Sequence, residues 1–245
     1  MAGPGLDFET WDANNAHLSP AILPPMRPAL SFAILLCLLP LTACKSSSSS
    51  QAANPSPTQR ASLPIGSGFD YYLLNLSWSP EFCHSHPDAP ECATHSTFVL
   101  HGLWPQNYDG TYPENCSSAS GPSDPVAYRD IYPDQGLLQH EWRTHGTCSG
   151  LSADAFLSTA RTAYKSVAVP QKLQTLTQQT SMSPNQIMNL FMIENPRIPR
   201  ESLVISCGNN YLTAVEICLD KNLKPIQCGP IRSCRAVVVR IPPPR

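Results

Sequence analysis

The chain has 245 residues, 42% of them apolar and 14% charged, with ten cysteines and a formal charge of −2. That length and apolar content suit one sizeable globular core. The net negative charge excludes a protein that holds nucleic acid by bulk electrostatics, because counterion release needs many Lys and Arg; any nucleic-acid partner would be a substrate gripped locally. The charge is uneven, with eight Lys or Arg against three acids from Arg197 to Arg245, and five against twelve from Ser62 to Pro196. The basic C-terminal third reads first as a solvated face and second as a positive wall of a site.

In chain order, residues 1–25 carry no periodicity and lead into Met26, which reads as the true start after a misassigned extension. Met26-Arg27-Pro28 is a short basic segment, Ala29 to Leu41 an apolar run, and Leu41-Thr42-Ala43-Cys44 a small-residue site. Residues 26–43 therefore read as a secretory signal, too short and too abruptly ended for a stable membrane span. The four residues ending at Cys44 resemble the bacterial lipobox, which implies a lipid on Cys44; Lys45 next to it implies the outer membrane. Ordinary cleavage and release is the alternative. With Cys37 removed and Cys44 lipidated, eight cysteines remain, an even number for an oxidising compartment. Ser46 to Pro64 is Ser, Ala and Pro rich, a flexible tether without material for a core.

The folded part, residues 65–245, begins near Ile65. Phe69 to Trp78 is rich in aromatic and branched residues and reads as a strand ended by the turn signal Ser79-Pro80. Cys83 to Cys92 is a polar loop with His84 and His86, and His95 lies beyond. This spacing matches no standard zinc pattern, and exported cysteines more often pair, so a local disulfide is favoured over a metal. Thr97 to Gly102 is a second strand, delivering His101 at its exit. Trp104 to Asp134 is rich in Pro, Gly, Ser, Tyr and Asn, as suits a long irregular segment over a site. Helical patterns follow at Gln135–His145, Ser152–Ala168 and Ser183–Asn195, the last opened by a Ser183/Gln186 capping box. Leu203–Ser206, Leu212–Leu219 and Ala236–Ile241 read as three more strands. Strands and helices segregate rather than alternate, so the fold class is α+β, a central antiparallel sheet flanked by helices.

The chemistry concentrates in His140-Glu141-Trp142-Arg143-Thr144-His145-Gly146-Thr147-Cys148. At roughly 100° per residue, a helix sets Glu141 and His145 one turn apart on one face and turns His140 away from both. The i, i+5 offset of the histidines, roughly 140°, departs from the His-Glu-x-x-His metal helix and argues against shared ligation of one metal. Gly-x-Ser-x-Gly, P-loop and Gly-x-Gly-x-x-Gly motifs are absent from the sequence. Histidine acid–base chemistry without metal or cofactor remains, since a pair of imidazoles can take one proton and give another in a single displacement. His145 at a helix C-terminus closed by Gly146 is expected to favour its protonated form.

Phe98-Val99-Leu100-His101-Gly102-Leu103-Trp104-Pro105 and the His140 to Cys148 segment resemble the two catalytic segments of the ribonuclease T2 family. Trp78 to Cys83, Ile205 to Cys207 and Ile217 to Asp220 resemble its first strand and closing strands, so the resemblance runs from about Phe69 to Ile241. It implies cleavage of single-stranded RNA through a 2′,3′-cyclic phosphate, with DNA resistant. It makes His101 and His145 the acid–base pair, His145 read as base and His101 as acid. His140 would bind the phosphate, and Glu141 would stabilise the phosphorane or hold an imidazole. It pairs Cys83 with Cys92, Cys116 with Cys148, Cys207 with Cys234 and Cys218 with Cys228.

Trp104 reads equally as core or as a contact to base or phosphate, and Trp142 reads as core. Tyr108 and Tyr112 are candidates to stack on bases, and Gln106, where some members have aspartate, leaves base preference open. Thr144 stands where the family commonly has lysine, which implies a reduced rate. The expected partners are RNA and, through the lipid alone, a membrane; the expected state is a monomer, periplasmic or at the cell surface. The competing reading is a catalytically silent lipoprotein that binds RNA or protein on the same scaffold. A metal-dependent hydrolase on His140, His145 and His84 or His86 is the third.

Overall fold

The computed structural model describes residues 68–94 and 97–244. The signal, Cys44, the tether and His95 lie outside the described residues. Among the described residues no helix is long and apolar enough to cross a membrane.

β1 (Tyr71–Trp78) is buried along its whole length, as its near-continuous apolar run dictates. It lies between β2 (Phe98–Gln106) and β5 (Tyr211–Leu219), antiparallel to both, and β4 (Leu203–Gly208) pairs antiparallel with β5. A short ribbon of β3 (Thr180–Met182) and β6 (Val239–Ile241) is antiparallel within itself. It joins the sheet through one parallel pair, Tyr211 with Arg240, so the sheet is mixed at that edge. β2 is the outer strand of the antiparallel group, and for that reason the ladder tolerates Pro105, extending the strand past the expected Gly102 to Gln106.

The helices are α1 (Ser79–Ser85), α2 (Pro90–Thr94), α3 (Gln135–Thr144), α4 (Ala153–Lys165), α5 (Gln171–Gln174) and α6 (Pro184–Glu194). Ser79-Pro80, read from sequence as a turn, instead starts α1, because proline's fixed φ is compatible with the first turn of a helix. Ser183 caps α6 through the full capping box with Gln186. Asp134 and Ser152 cap α3 and α4 with their side-chain oxygens. Phe98 meets Phe191 of α6 edge-on at 5.4 Å and Trp78 at 4.7 Å, marking the apolar face of the sheet against the helices. The opposite face carries Asn75, Ser77 and Glu216, all buried.

Among the described residues, four disulfides join Cys83 to Cys92, Cys116 to Cys148, Cys207 to Cys234 and Cys218 to Cys228. Cys116–Cys148 ties the long segment after β2 to the end of α3; Cys218–Cys228 helps pack Ile226 and Ile231 over Tyr71, Leu73 and Trp104.

Candidate active site

His101 is placed by an irregularity in β2. The pairing runs Asn75 with Gly102 and then Leu76 with Leu100, skipping His101 as the extra residue of a β-bulge. Two residues opposing one break the alternation, so a bulge re-aims a side chain that regular pleating would direct elsewhere. His101 is buried at 6% exposure, its Nδ1 is 3.2 Å from Ser77 Oγ and its Nε2 3.6 Å from Glu141 Oε1.

α3 brings the other three groups over this strand. Glu141 is fully buried, and Trp104 Nε1 donates to its Oε2 at 2.9 Å. Such an approach needs Gly102 beneath it: a Cβ there would stand 2.0 Å from Glu141 Oε2 and 2.3 Å from Trp104 Nε1. Trp104 meets His101 edge-on and lies tilted against His145, with 5.3 Å between ring centroids in each case. Its place is therefore inside the cluster, half-buried.

The structure corrects the sequence argument on His140. Its ring centroid lies 6.1 Å from that of His145, and ligand atoms of His140, Glu141 and His145 all fall within 4.8 Å of one another, a set able to hold a metal ion. On the helix Glu141 sits angularly between the two histidines, and imidazoles are long enough to converge over it despite the i, i+5 offset. Both carboxylate oxygens already face protein groups, Oε2 the Trp104 indole and Oε1 the His101 ring. His84 is exposed, and His86 stacks on Phe82 at 4.3 Å, so both are placed by α1.

The protonation expected of His145 is also reversed. Burial, with His140 and His101 close by, pushes its pKa down to about 3, and burial with His140 pushes His101 to about 3. Desolvation outweighs the helix dipole because the ring is only 6% exposed. His145 Nε2 is a buried nitrogen without a hydrogen-bond partner. Gly146 does not close α3 in a left-handed conformation. His145 is the cap residue, and the chain continues into a 3-10 turn, Gly146–Cys148. Glycine is needed there for room, since a Cβ would stand 2.4 Å from the Trp142 ring and 2.7 Å from that of Phe156.

Thr144 is buried at the end of α3, its carbonyl accepting from Asn115 N at 2.8 Å. Gln106 is half-buried at the end of β2, opposite Tyr71. Tyr108 stacks on Tyr71 at 5.0 Å yet stays 56% exposed, and Tyr112 is 46% exposed. Sequence reasoning missed Ser77, Gly102 and the buried pair Asn75 Nδ2 to Glu216 Oε1, 3.0 Å. The available signal was polar residues on one face of an apolar strand.

Fold and site together define a disulfide-bonded α+β protein with a largely buried, histidine-rich cluster suited to proton transfer. The profile of the Ribonuclease T2 family matches residues 69–228, and the chain belongs to that family. A ribonuclease from Aeromonas hydrophila is 48% identical over 90 residues, covering 36% of this chain and 41% of that protein. A probable ribonuclease from Haemophilus influenzae is 28% identical over 189 residues, covering 69% of this chain and 63% of that protein. The matches thus span less than two thirds of either relative. Among solved structures, an RNase-related protein from Calystegia sepium superposes with a TM-score of 0.60 at 25% identity, over 71% of this chain and 97% of that one. RNase NT in complex with 5′-AMP shares the fold, with a TM-score of 0.52 at 21% identity over 72% and 99%.

Proposed function

We propose that the protein is an endoribonuclease that cleaves single-stranded RNA through a 2′,3′-cyclic phosphate by proton transfer between histidines. The observation that carries this reading is the convergence of His101 from β2 with His140, Glu141 and His145 from α3 around one indole. His145, neutral and with a buried Nε2 that has no hydrogen-bond partner, takes the proton of the ribose 2′-OH. The 2′-oxygen attacks phosphorus, the bond to the 5′-oxygen breaks, and His101 delivers a proton to that departing oxygen. Glu141, 3.6 Å from His101, would favour the cationic ring that the acid role needs once its carboxylate is ionised. His140 receives the phosphate, whose negative charge would draw both buried imidazoles toward protonation. Trp104 and Gln106 border the scissile nucleotide, Tyr108 and Tyr112 offer ring faces to flanking bases, and Thr144 leaves the phosphate without the family's lysine.

The test is cleavage of RNA and of DNA by the purified protein, with and without EDTA. RNA cleavage that resists EDTA, spares DNA and falls by about 10²-fold or more in His101→Ala and in His145→Ala is the expected result. Absence of RNA cleavage at every pH from 4 to 8 would overturn it in favour of a silent binding protein. Loss of activity in EDTA, restored by a divalent cation, would favour the second reading, a metal-dependent hydrolase; its support is the proximity of ligand atoms on His140, Glu141 and His145.

Four disulfides suit a protein working outside the cytoplasm. A lipid on Cys44, a tether over residues 45–64 and a monomeric catalytic domain from residue 65 complete the proposal. Mass spectrometry of the mature N-terminus reads the first: a diacylglyceryl-modified Cys44 is expected, and an unmodified cysteine would remove the anchor.

A further inference from the structure

β1 carries two polar side chains, Asn75 and Ser77, in a strand that is otherwise apolar and entirely buried. Both lie on the face that holds the site, and each has a polar partner from a neighbouring strand. Asn75 donates to Glu216 of β5. The hydroxyl of Ser77, 4% exposed, lies 3.2 Å from Nδ1 of His101.

The two ring nitrogens of His101 therefore see different chemistry. Nε2 points at the Glu141 carboxylate 3.6 Å away, so a proton on this nitrogen has an acceptor to face. With the proton there, Nδ1 is the acceptor, and the Ser77 hydroxyl 3.2 Å away is placed to donate to it. If the ring becomes a cation, Nδ1 acquires a proton and must donate; a hydroxyl can rotate and accept it. A backbone carbonyl in this place would serve only a protonated Nδ1, and an amide N–H only a bare one. Serine satisfies both states, which is what a group that gains and loses a proton in each turnover requires. Ser77 is rigidly held, because its residue pairs with Val99 on one side and Ala214 on the other.

We infer that Ser77 is a positioning residue for the proposed acid: it fixes the His101 tautomer so that the proton sits on Nε2, toward Glu141. This rests on the ribonuclease reading for its kinetic consequence, though not for its structural one. Because His101 is the extra residue of a bulge, regular pleating does not set its ring orientation, and the contact from β1 at Nδ1 helps to fix it alongside Glu141 and Trp104.

The experiment has two arms. In the first, 15N spectra of the histidine side chains of the whole protein report the tautomer without any need for activity. A protonated Nε2 and a hydrogen-bonded, unprotonated Nδ1 are expected for His101 in the wild type; the reverse tautomer, or an even mixture, would overturn the inference. In the second, Ser77→Ala is expected to lower kcat roughly ten-fold, below the ~100-fold that a 1 Å misplacement can cost, with KM nearly unchanged. Ser77→Thr, which keeps the hydroxyl, is expected to recover most of that loss. Equal kcat in the wild type and Ser77→Ala would overturn the inference, as would an Ala variant whose His101 keeps the wild-type tautomer. If Ser77→Ala fails to fold, the wild-type spectrum still decides. If the wild type shows the expected tautomer but no RNA cleavage, the ribonuclease reading fails while the positioning contact stands.

Discussion

At the scale of the residue, the site depends on one atom's worth of space at Gly102. Gly102→Ala would press a methyl group into Glu141 and the Trp104 indole, both of which approach within 2.3 Å of its position. We expect kcat to fall by about 10-fold or more through misplacement of the proposed catalytic groups, while the four disulfides form normally. A wild-type kcat would show that Glu141 is free to retreat. Trp104→Phe keeps the ring but removes the donor to Glu141 Oε2, and a smaller loss is expected. Thr144→Lys restores a positive charge near the phosphate and is expected to raise kcat by up to about ten-fold, equivalent to ~1.4 kcal/mol of barrier. Thr144 is buried, so the lysine stem must run outward along α3. An unchanged or lower kcat would count against a role for this position.

At the scale of the element, α3 and the turn after it act as a clamp. The helix presents Glu141 over β2, and the Gly146–Cys148 turn lets Trp142 and Phe156 close against Gly146, with Cys148 tied to Cys116. Gly146→Ala would overpack that contact at a cost of about 1–3 kcal/mol. A lower midpoint in thermal unfolding is the expected reading, with activity per folded molecule reduced because His145 shares the turn. An unchanged midpoint would mean that the two rings can separate freely. The site was largely legible at this level. The strand bearing His101, the helix bearing His140, Glu141 and His145, and the capping box at Ser183 follow from local pattern, because periodicity and caps are set by neighbours in the chain. The bulge at His101 was not, since it exists only in the register between β1 and β2.

At the scale of the whole molecule, burial sets the pH response. The proposed acid must carry a proton in the free enzyme and the proposed base must not. With both rings pushed down to about 3, the base is ready across the neutral range, and the protonated fraction of the acid grows about ten-fold per pH unit as pH falls. We therefore expect kcat/KM to rise from pH 7 toward pH 4; a maximum at neutral pH would contradict it. Stability follows two opposed contributions. The histidines are depressed on folding, so their contribution is present above the ordinary imidazole value and is lost as pH falls toward about 3. Glu216 is raised by burial to about 7, so its contribution is complete below the ordinary carboxylate range and is lost as pH rises to about 7. Glu216→Gln should remove the second loss. The variant should be more stable than wild type at pH 8, by up to about 3 kcal/mol, and no more stable at pH 4. Unfolding midpoints at the two pH values check this, and equal gains at both would refute it.

The sequence by itself determined the α+β class, the candidate site side chains and the two segments that carry them, because residue type and local period are properties of neighbours in the chain. Only the tertiary structure decided how those segments meet. The bulge aims His101, Gly102 admits Glu141, His140 converges with His145 despite their offset, and the eight cysteines settle into one of many pairings. It also decided the charge of the site: a helix C-terminus favours a protonated imidazole, but removal from water costs the cation more, and burial is a property of the whole fold.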